Sequence, residues 1–199
     1  MIAMSRRLTL GAALVLALLG AATAQTEKTA TAVFASGCFW CTESDFDKVA
    51  GVISTTSGYI GGPAATATYE QVSAGRSGHK EAVKLVYDPA KVSYRQLLDV
   101  FWRNVDPLDA YGQFCDKGSQ YLGAIFVDND EERRLAEETK AKVAQLLGKP
   151  VVTEILPLQE FHPAEAYHQD YHKKNAAQYA FYRWGCRRDQ RLEQLWGKP

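Results

Sequence analysis

The stretch Gly37-Cys38-Phe39-Trp40-Cys41 sets two thiols one helical turn apart, where a short apolar run stops at a glycine and a helical pattern begins. A cysteine at such a junction would lie at the helix N-terminus, where unsatisfied backbone N–H groups and the helix dipole favour an anion. That setting lowers a thiol pKa and supplies thiolate, the form of cysteine that attacks electrophiles. A lone cysteine more often packs as a small hydrophobe. One held between a glycine turn and a helix start, with two aromatic neighbours, reads instead as a nucleophile. Glu81 is the second informative position. In the alternating run 81–87 it shares parity with Val83, Leu85 and Tyr87, which would turn its carboxyl toward the apolar face. Burial disfavours ionisation and would leave a protonated acid near neutral pH. A strand-end carboxylate curling toward His79, Lys80 or solvent is the alternative, and parity does not separate the two.

The elements that must position these groups follow from periodicity. Residues 32–35 form a short buried strand stopped by Ser36-Gly37. Phe39, Trp40, Thr42, Phe46 and Val49 recur at helical spacing until Gly51, and residues 52–56 alternate as a strand. A long loop over 58–78 carries Tyr59, Pro63 and Tyr69, and loops of this length in compact domains are usually functional or disordered. Asp88-Pro89 ends the strand 81–87. Ser93 and Gln96 make a capping-box start for a helix with Leu97, Leu98, Phe101 and Trp102 on its apolar side. A second loop, 106–120, precedes a strand over 121–127. Acidic residues then open a helix over 130–147 that ends at Gly148. Residues 151–156 form a further strand, and Pro163 is expected at the first position of another helical segment. The tail, 181–199, is rich in aromatic and charged residues. There is no internal repeat and no linker, so residues 25–199 are expected to form one α+β domain.

The chain has 199 residues, 46% hydrophobic and 23% charged, with 23 basic and 23 acidic side chains. This composition excludes a disordered tail or a fibrous repeat, and zero net charge removes the electrostatic footprint of nucleic-acid binding. Arg6 and Arg7 precede an uncharged run over 8–22 and the small residues of Ala22-Thr23-Ala24, so a signal peptide over 1–24 with cleavage before Gln25 is expected. A membrane span needs about 20 apolar residues, more than this run supplies. Export is expected, to the periplasm in a Gram-negative host, with the Sec or twin-arginine route left open. A domain of the remaining length needs no disulfide to fold, although an exported protein could bridge any of Cys38, Cys41, Cys115 and Cys186.

Gly37-Cys38-Phe39-Trp40 resembles the active-site signature of the peptide methionine sulfoxide reductase A family. Strings in the same order along the chain agree: Gly58-Tyr59-Ile60-Gly61-Gly62, Thr68-Tyr69-Glu70-Gln71-Val72, Gly78-His79-Lys80-Glu81, Tyr87-Asp88-Pro89, Phe101-Trp102, Asp106-Pro107, Asp116-Lys117-Gly118-Ser119-Gln120-Tyr121 and Ala164-Glu165-Ala166-Tyr167-His168-Gln169. The resemblance implies a two-layer α+β sandwich around a mixed, ferredoxin-like sheet. It implies reduction of methionine S-sulfoxide, free and in oxidised proteins, as protein repair. Cys38 would attack the sulfoxide sulfur and Glu81 would protonate its oxygen. Phe39 and Trp40 would form the apolar wall for the S-methyl group. Tyr69 and Tyr121 would hydrogen-bond the oxygen, and Asp116 would hold the polar network. Three positions depart from the family: Gln113-Phe114-Cys115-Asp116 replaces the usual Gln-Gly-Asn-Asp, Leu122 stands where Arg is frequent, and Cys41 where many members have another residue.

A sulfenic acid left on Cys38 condenses with a neighbouring thiol. Cys41 is one helical turn away, but a disulfide inside a helix start must meet narrow limits. Cys115 adjoins the negative Asp116. Cys186 lies among Arg183, Arg187 and Arg188, which favour its thiolate, and the family commonly places its resolving cysteine in a mobile C-terminal region. Cys186 is therefore the expected resolving cysteine, with Cys41 second, and a thioredoxin-like dithiol would reduce the bridge. No bound cofactor, no metal, no nucleic-acid or membrane partner and a monomeric state are expected. Three other readings were weighed. A zinc site from Cys38, Cys41, His168 and His172, the histidines on one helix face, has spacing far from that of zinc fingers. A thioredoxin-like disulfide oxidoreductase leaves Glu81 and the long loops without a role, and a disulfide-stapled binding domain would have no substrate-responsive thiol.

Overall fold

Strict alternation along the central strands divides the apolar residues into two unequal faces. The computed structural model describes residues 28–198, and the expected leader with its cleavage site lies outside the described residues. In chain order the elements are β1 (Ala30–Ala35), α1 (Phe39–Phe46), β2 (Val52–Ile60), α2 (Tyr69–Ser73), β3 (Lys80–Tyr87) and α3 (Tyr94–Arg103). The short strands β4 (Gly112–Gln113) and β5 (Asp116–Lys117), then β6 (Ala124–Val127) and α4 (Asp130–Leu147) follow. β7 (Glu154–Pro157), β8 (Phe161–Pro163), α5 (Tyr171–Lys174), α6 (Ala176–Gly185) and α7 (Arg188–Trp196) complete the described chain.

Six strands form one sheet in the order β7-β6-β1-β3-β2-β8. Only β6 and β7 run parallel; the other neighbours are antiparallel. Phe34, Val83, Leu85 and Ile125 face the helical layer and pack with Phe46 of α1, Leu97 and Phe101 of α3 and Ala136 of α4. The alternate positions Val33, Ile60, Ala82 and Phe126 make a smaller cluster on the opposite face, covered by Leu156, Leu158 and Phe161. The result is the α+β arrangement around a mixed sheet that the sequence predicts. Helix ends follow local chemistry: Ser93 and Gln96 form a complete capping box on α3, the Asn129 side chain accepts from the Glu132 N–H of α4, and Gly148 closes α4 in the left-handed region at φ 61°. No helix of the described residues is long and apolar enough to cross a membrane.

Four boundaries differ from expectation. β2 continues through Gly58 to Ile60 because it is paired on both sides, with β3 and with β8. Pro163 does not start a helix; it ends β8, opposite Gly58. Proline fits an edge strand, where its missing N–H costs no ladder bond. Residues Ser119–Tyr121 form a 3₁₀ turn rather than the start of a strand, and β6 begins at Ala124. His168 lies in a turn before α5 while His172 lies within it, so the two do not share a helix face as expected.

Gly58 is the close approach on which the β2–β8 pairing depends. A Cβ there would meet His162 O and Phe161 Cζ, both at 2.4 Å. Gly58→Ala should therefore cost about 1–3 kcal/mol by overpacking, read as a lower urea midpoint. Faster exchange of the Ala164 N–H, which donates to Ser57 O at 2.9 Å, should accompany it. Unchanged exchange would show that β8 tolerates the extra methyl.

Candidate active site

Gly37 turns the chain out of β1 at φ 85°, and a Cβ there would lie 2.5 Å from Gln113 Cβ. The glycine therefore lets β4 dock against the turn before α1. Gln113 is itself fixed in both directions, accepting from the Asp106 N–H and donating to the Asp106 carbonyl, each at 2.8 Å. This docking brings the next segment, with Asp116, to the start of α1.

Cys38 is the N-cap of α1 and Cys41 its third helical residue, both buried. The first free N–H of the helix, on Phe39, donates to Glu81 Oε2 at 3.0 Å rather than serving the thiol. Glu81 points inward from β3 and is 2% exposed. Burial pushes its pKa to about 8 even though the Phe39 N–H opposes the shift, so the carboxyl carries its proton at neutral pH. Of the two orientations that parity left open, the inward one is observed.

Burial raises the Cys38 thiol well above its ordinary range, and Cys41, Glu81 and Asp116 add to the effect. This is the reverse of the lowering expected from a helix N-terminus. Glu81 has taken the N–H that would have stabilised the sulfur anion, and the surroundings are dry and acidic. Cys41 moves the other way, to about 7, through its hydrogen bond with Cys38, with Arg188 and Arg183 helping against burial.

The seven residues expected to act on or bind the substrate border one cleft of about 80 Å³, and Cys41 and Cys186 do not line it. Cys38 and Glu81 meet there with Phe39 and Trp40 from α1. Tyr69 at the start of α2, Asp116 of β5 and Tyr121 of the 3₁₀ turn supply the polar side. Burial raises the pKa of both tyrosines, and the Glu81 charge would raise them further; they remain O–H donors. Burial also raises Asp116, although Tyr182 donates its O–H to Asp116 Oδ2. Tyr182, from α6, is the eighth residue of the cleft and was missed because its helix is distant in sequence and neither of that helix's two tyrosines carries a motif.

The aromatic wall is held by the segment after β8, residues 165–171. Trp40 Nε1 donates to His168 Nδ1 at 3.0 Å, and its ring stacks on Tyr171 at 3.8 Å. Glu165 accepts from the Tyr59 O–H at 2.8 Å and the Tyr69 N–H at 2.9 Å. Gln169 accepts from the Ser57 N–H and donates to the Ser57 carbonyl.

The model of the peptide methionine sulfoxide reductase family matches residues 30–199. The chain belongs to this family. Peptide methionine sulfoxide reductase MsrA 2 of Caulobacter vibrioides is 49% identical over 195 residues, covering 96% of this chain and 99% of the relative. Peptide methionine sulfoxide reductase MsrA of Bacillus licheniformis is 45% identical over 174 residues, covering 86% and 96%. Among solved structures, reduced Mxr1 from Saccharomyces cerevisiae superposes with TM-score 0.72 at 29% identity, covering 76% of this chain and 88% of that one. Methionine sulfoxide reductase A of Corynebacterium diphtheriae gives TM-score 0.67 at 33% identity, covering 77% of each.

Within this reductase two of the four cysteines are joined and two are free. Cys186 is bonded to Cys115, with Cα atoms 4.9 Å apart, and Cys38 and Cys41 are free thiols. The tail that carries Cys186 is folded onto the domain rather than hanging free. Arg188, 2% exposed, donates to the Ser36 carbonyl at 3.0 Å and to the Asn104 carbonyl, and its guanidinium lies 4.4 Å from the Phe114 ring. The imagined zinc set is not assembled. Among the described residues the one cluster of suitable ligands is Cys115, Asp116 and Cys186, and its two sulfurs are bonded to each other.

A folded-state pKa near 8 against 4.5 for the free group means that native Glu81 keeps a proton the unfolded chain has lost. For an acid shifted upward, stability is lost as pH rises from 4.5 through 8. Glu81→Gln has no such charge to bury. Its melting temperature relative to the wild type should rise across that window in thermal scans, and a constant difference would mean that Glu81 is ionised in the folded protein.

Proposed function

We propose that the protein reduces methionine S-sulfoxide to methionine, free and within oxidised proteins, with Cys38 as nucleophile and Glu81 as acid. The observation that carries this reading is a protonated, buried carboxyl beside the only thiol that opens into an aromatic-walled cleft. Oxide is a hopeless leaving group until it is protonated, and a carboxyl that holds its proton at neutral pH can supply one. The Tyr69 and Tyr121 hydroxyls donate to the sulfoxide oxygen, while Phe39 and Trp40 receive the S-methyl group. As Cys38 Sγ bonds to the substrate sulfur, Glu81 gives its proton to the oxygen and the thiol proton replaces it on the carboxylate. Transfer of the oxygen to Cys38 then leaves methionine and a Cys38 sulfenic acid, so one thiol and one sulfoxide become one sulfenic acid and one thioether.

The raised pKa of Cys38 fits this order of events. A thiol that is neutral in the empty site avoids futile oxidation, and its proton becomes useful when the sulfoxide arrives. Return to the thiol proceeds through a disulfide and an external dithiol, so the residues themselves carry the electrons without a bound cofactor. A thioredoxin-like protein is the proposed reductant; yeast Mxr1 has been solved in complex with Trx2, which supports it. The leader over 1–24 supports action after export, in the periplasm of a Gram-negative host.

Cys38→Ser should abolish methionine formation from the S epimer, because serine supplies no thiolate. Glu81→Gln should lower turnover by roughly 10²- to 10⁴-fold, the usual contribution of a general acid. Separate S and R epimers with a dithiol reductant decide the matter: activity on R alone, or full activity of Cys38→Ser, sinks the proposal. The place of action is checked by intact mass of protein from the native host, which should begin near Gln25; a retained 1–24 segment would contradict export by cleavage.

A further inference from the structure

We propose that Cys41 resolves the Cys38 sulfenic acid, so that the first disulfide of the cycle is Cys38–Cys41 and forms inside the site. The proposal rests on the reductase reading above and assigns its second half-reaction. The chain has four cysteines. Cys115 and Cys186 are joined to each other, which leaves Cys41 as the one free thiol besides Cys38.

The backbone brings the two sulfurs together. Cys38 is the N-cap, with the non-helical angles φ −49° and ψ 120°, and Cys41 is the third residue of the helix it caps. The Cys41 N–H donates to the Cys38 carbonyl at 3.1 Å, closing the turn. A residue outside the helical conformation can direct its side chain across the helix start, which relaxes the limit that a bridge between two fully helical positions would meet. Each thiol shifts the other, Cys41 raising Cys38 and Cys38 lowering Cys41.

The surroundings favour an anion on Cys41. Asp45, one turn further along the same face of α1, is paired to Arg183 Nη1 at 2.9 Å and faces Arg188 Nη2 at 3.5 Å. Arg183 also holds Asp189 at 2.7 Å, so two guanidiniums meet two carboxylates around a thiol that is 1% exposed. Both guanidiniums still lower the Cys41 pKa, and burial keeps a thiolate there from external oxidants.

Attack of the Cys41 thiolate on Cys38 Sγ forms the S–S bond and breaks the S–O bond. Hydroxide leaves and becomes water with the proton that Cys41 gave up. The Cys41 sulfur is oxidised and the Cys38 sulfur reduced by the same amount. The thioredoxin-like dithiol then enters the cleft vacated by methionine and attacks Cys38 Sγ. Cys41 is the better leaving group of the pair, since a thiol of lower pKa leaves faster. The second thiol of the donor releases Cys38 and leaves as the donor's own disulfide, having supplied two electrons. Cys115–Cys186 stays closed throughout and fastens the tail that brings Tyr182 to the cleft.

The test is one turnover on methionine S-sulfoxide without reductant, followed by peptide mapping and labelling with a cyclic 1,3-dione that captures sulfenic acids. In the wild type both free thiols should vanish together, the peptide carrying Cys38 and Cys41 should lose two hydrogens, and no label should enter. Cys41→Ser should release methionine in the first turnover, showing that it is folded, then retain the label on Cys38 and lose steady turnover with thioredoxin. The Cys115→Ser/Cys186→Ser double variant, whatever its rate, should carry the Cys38–Cys41 bridge once methionine has been released. A cross-link from Cys38 to Cys115 or Cys186, or normal thioredoxin-driven turnover by Cys41→Ser, would overturn the proposal alone. Absence of first-turnover methionine from the wild type would overturn the reductase reading and this proposal with it.

Discussion

The hydrogen bond from the Phe39 N–H to Glu81 Oε2 ties the central strand of the sheet to the helix that carries the nucleophile. It occupies the N–H that would otherwise serve an anion at the N-cap, and it holds the carboxyl in a place too dry to ionise readily. The bond itself favours the ionised carboxylate, yet burial is the larger effect and the proton stays. An anionic Glu81 would stand beside a sulfur that must become negative. A protonated Glu81 removes that repulsion and supplies what the sulfoxide oxygen needs. The chemistry of Cys38 is thus set less by its position on a helix than by its neighbour on β3.

The helix start is braced from the other side by the segment after β8. Glu165 links Tyr59 of β2 to the backbone of Tyr69, His168 accepts from Trp40, and the Asp170 N–H donates to Glu43 Oε2 at 3.0 Å. Glu43 is buried on α1, where burial pushes its pKa up to about 7. These contacts are side chain to backbone or side chain to side chain across about a hundred residues of sequence. They convert a set of aromatic rings on separate elements into one rigid wall. A cleft this small selects by shape, so that rigidity matters as much as the identity of the rings.

Two kinds of sulfur occupy the molecule. Cys38 and Cys41 are buried, Cys41 beside the charges of Asp45, Arg183 and Arg188 and Cys38 beside Glu81 and Asp116. Cys115 is exposed, and its bridge to Cys186 lies next to Asp116 of the cleft. The hydrogen bond from Tyr182 to Asp116 spans the same two segments as that bridge. The tail therefore contributes to the site through a covalent tie, a buried arginine and a tyrosine at once.

Much of this was legible before any coordinates. Cysteine between a glycine turn and a helix start, the parity of Glu81 with Val83 and Leu85, the capping box at Ser93 and the acid-opened helix ending at Gly148 are local signals, carried by neighbours a few residues apart. The sequence alone determined the α+β class, the family and seven of the eight residues of the cleft, because each lies within an unbroken motif. Tertiary structure decided what depends on partners far along the chain: β2 running through Gly58, Pro163 closing an edge strand, Tyr182 entering the cleft, and Cys186 meeting Cys115. It also reversed the expected pKa of Cys38. A helix N-terminus can be read from spacing, but burial and the competition for one N–H exist only once β3 has been laid against α1.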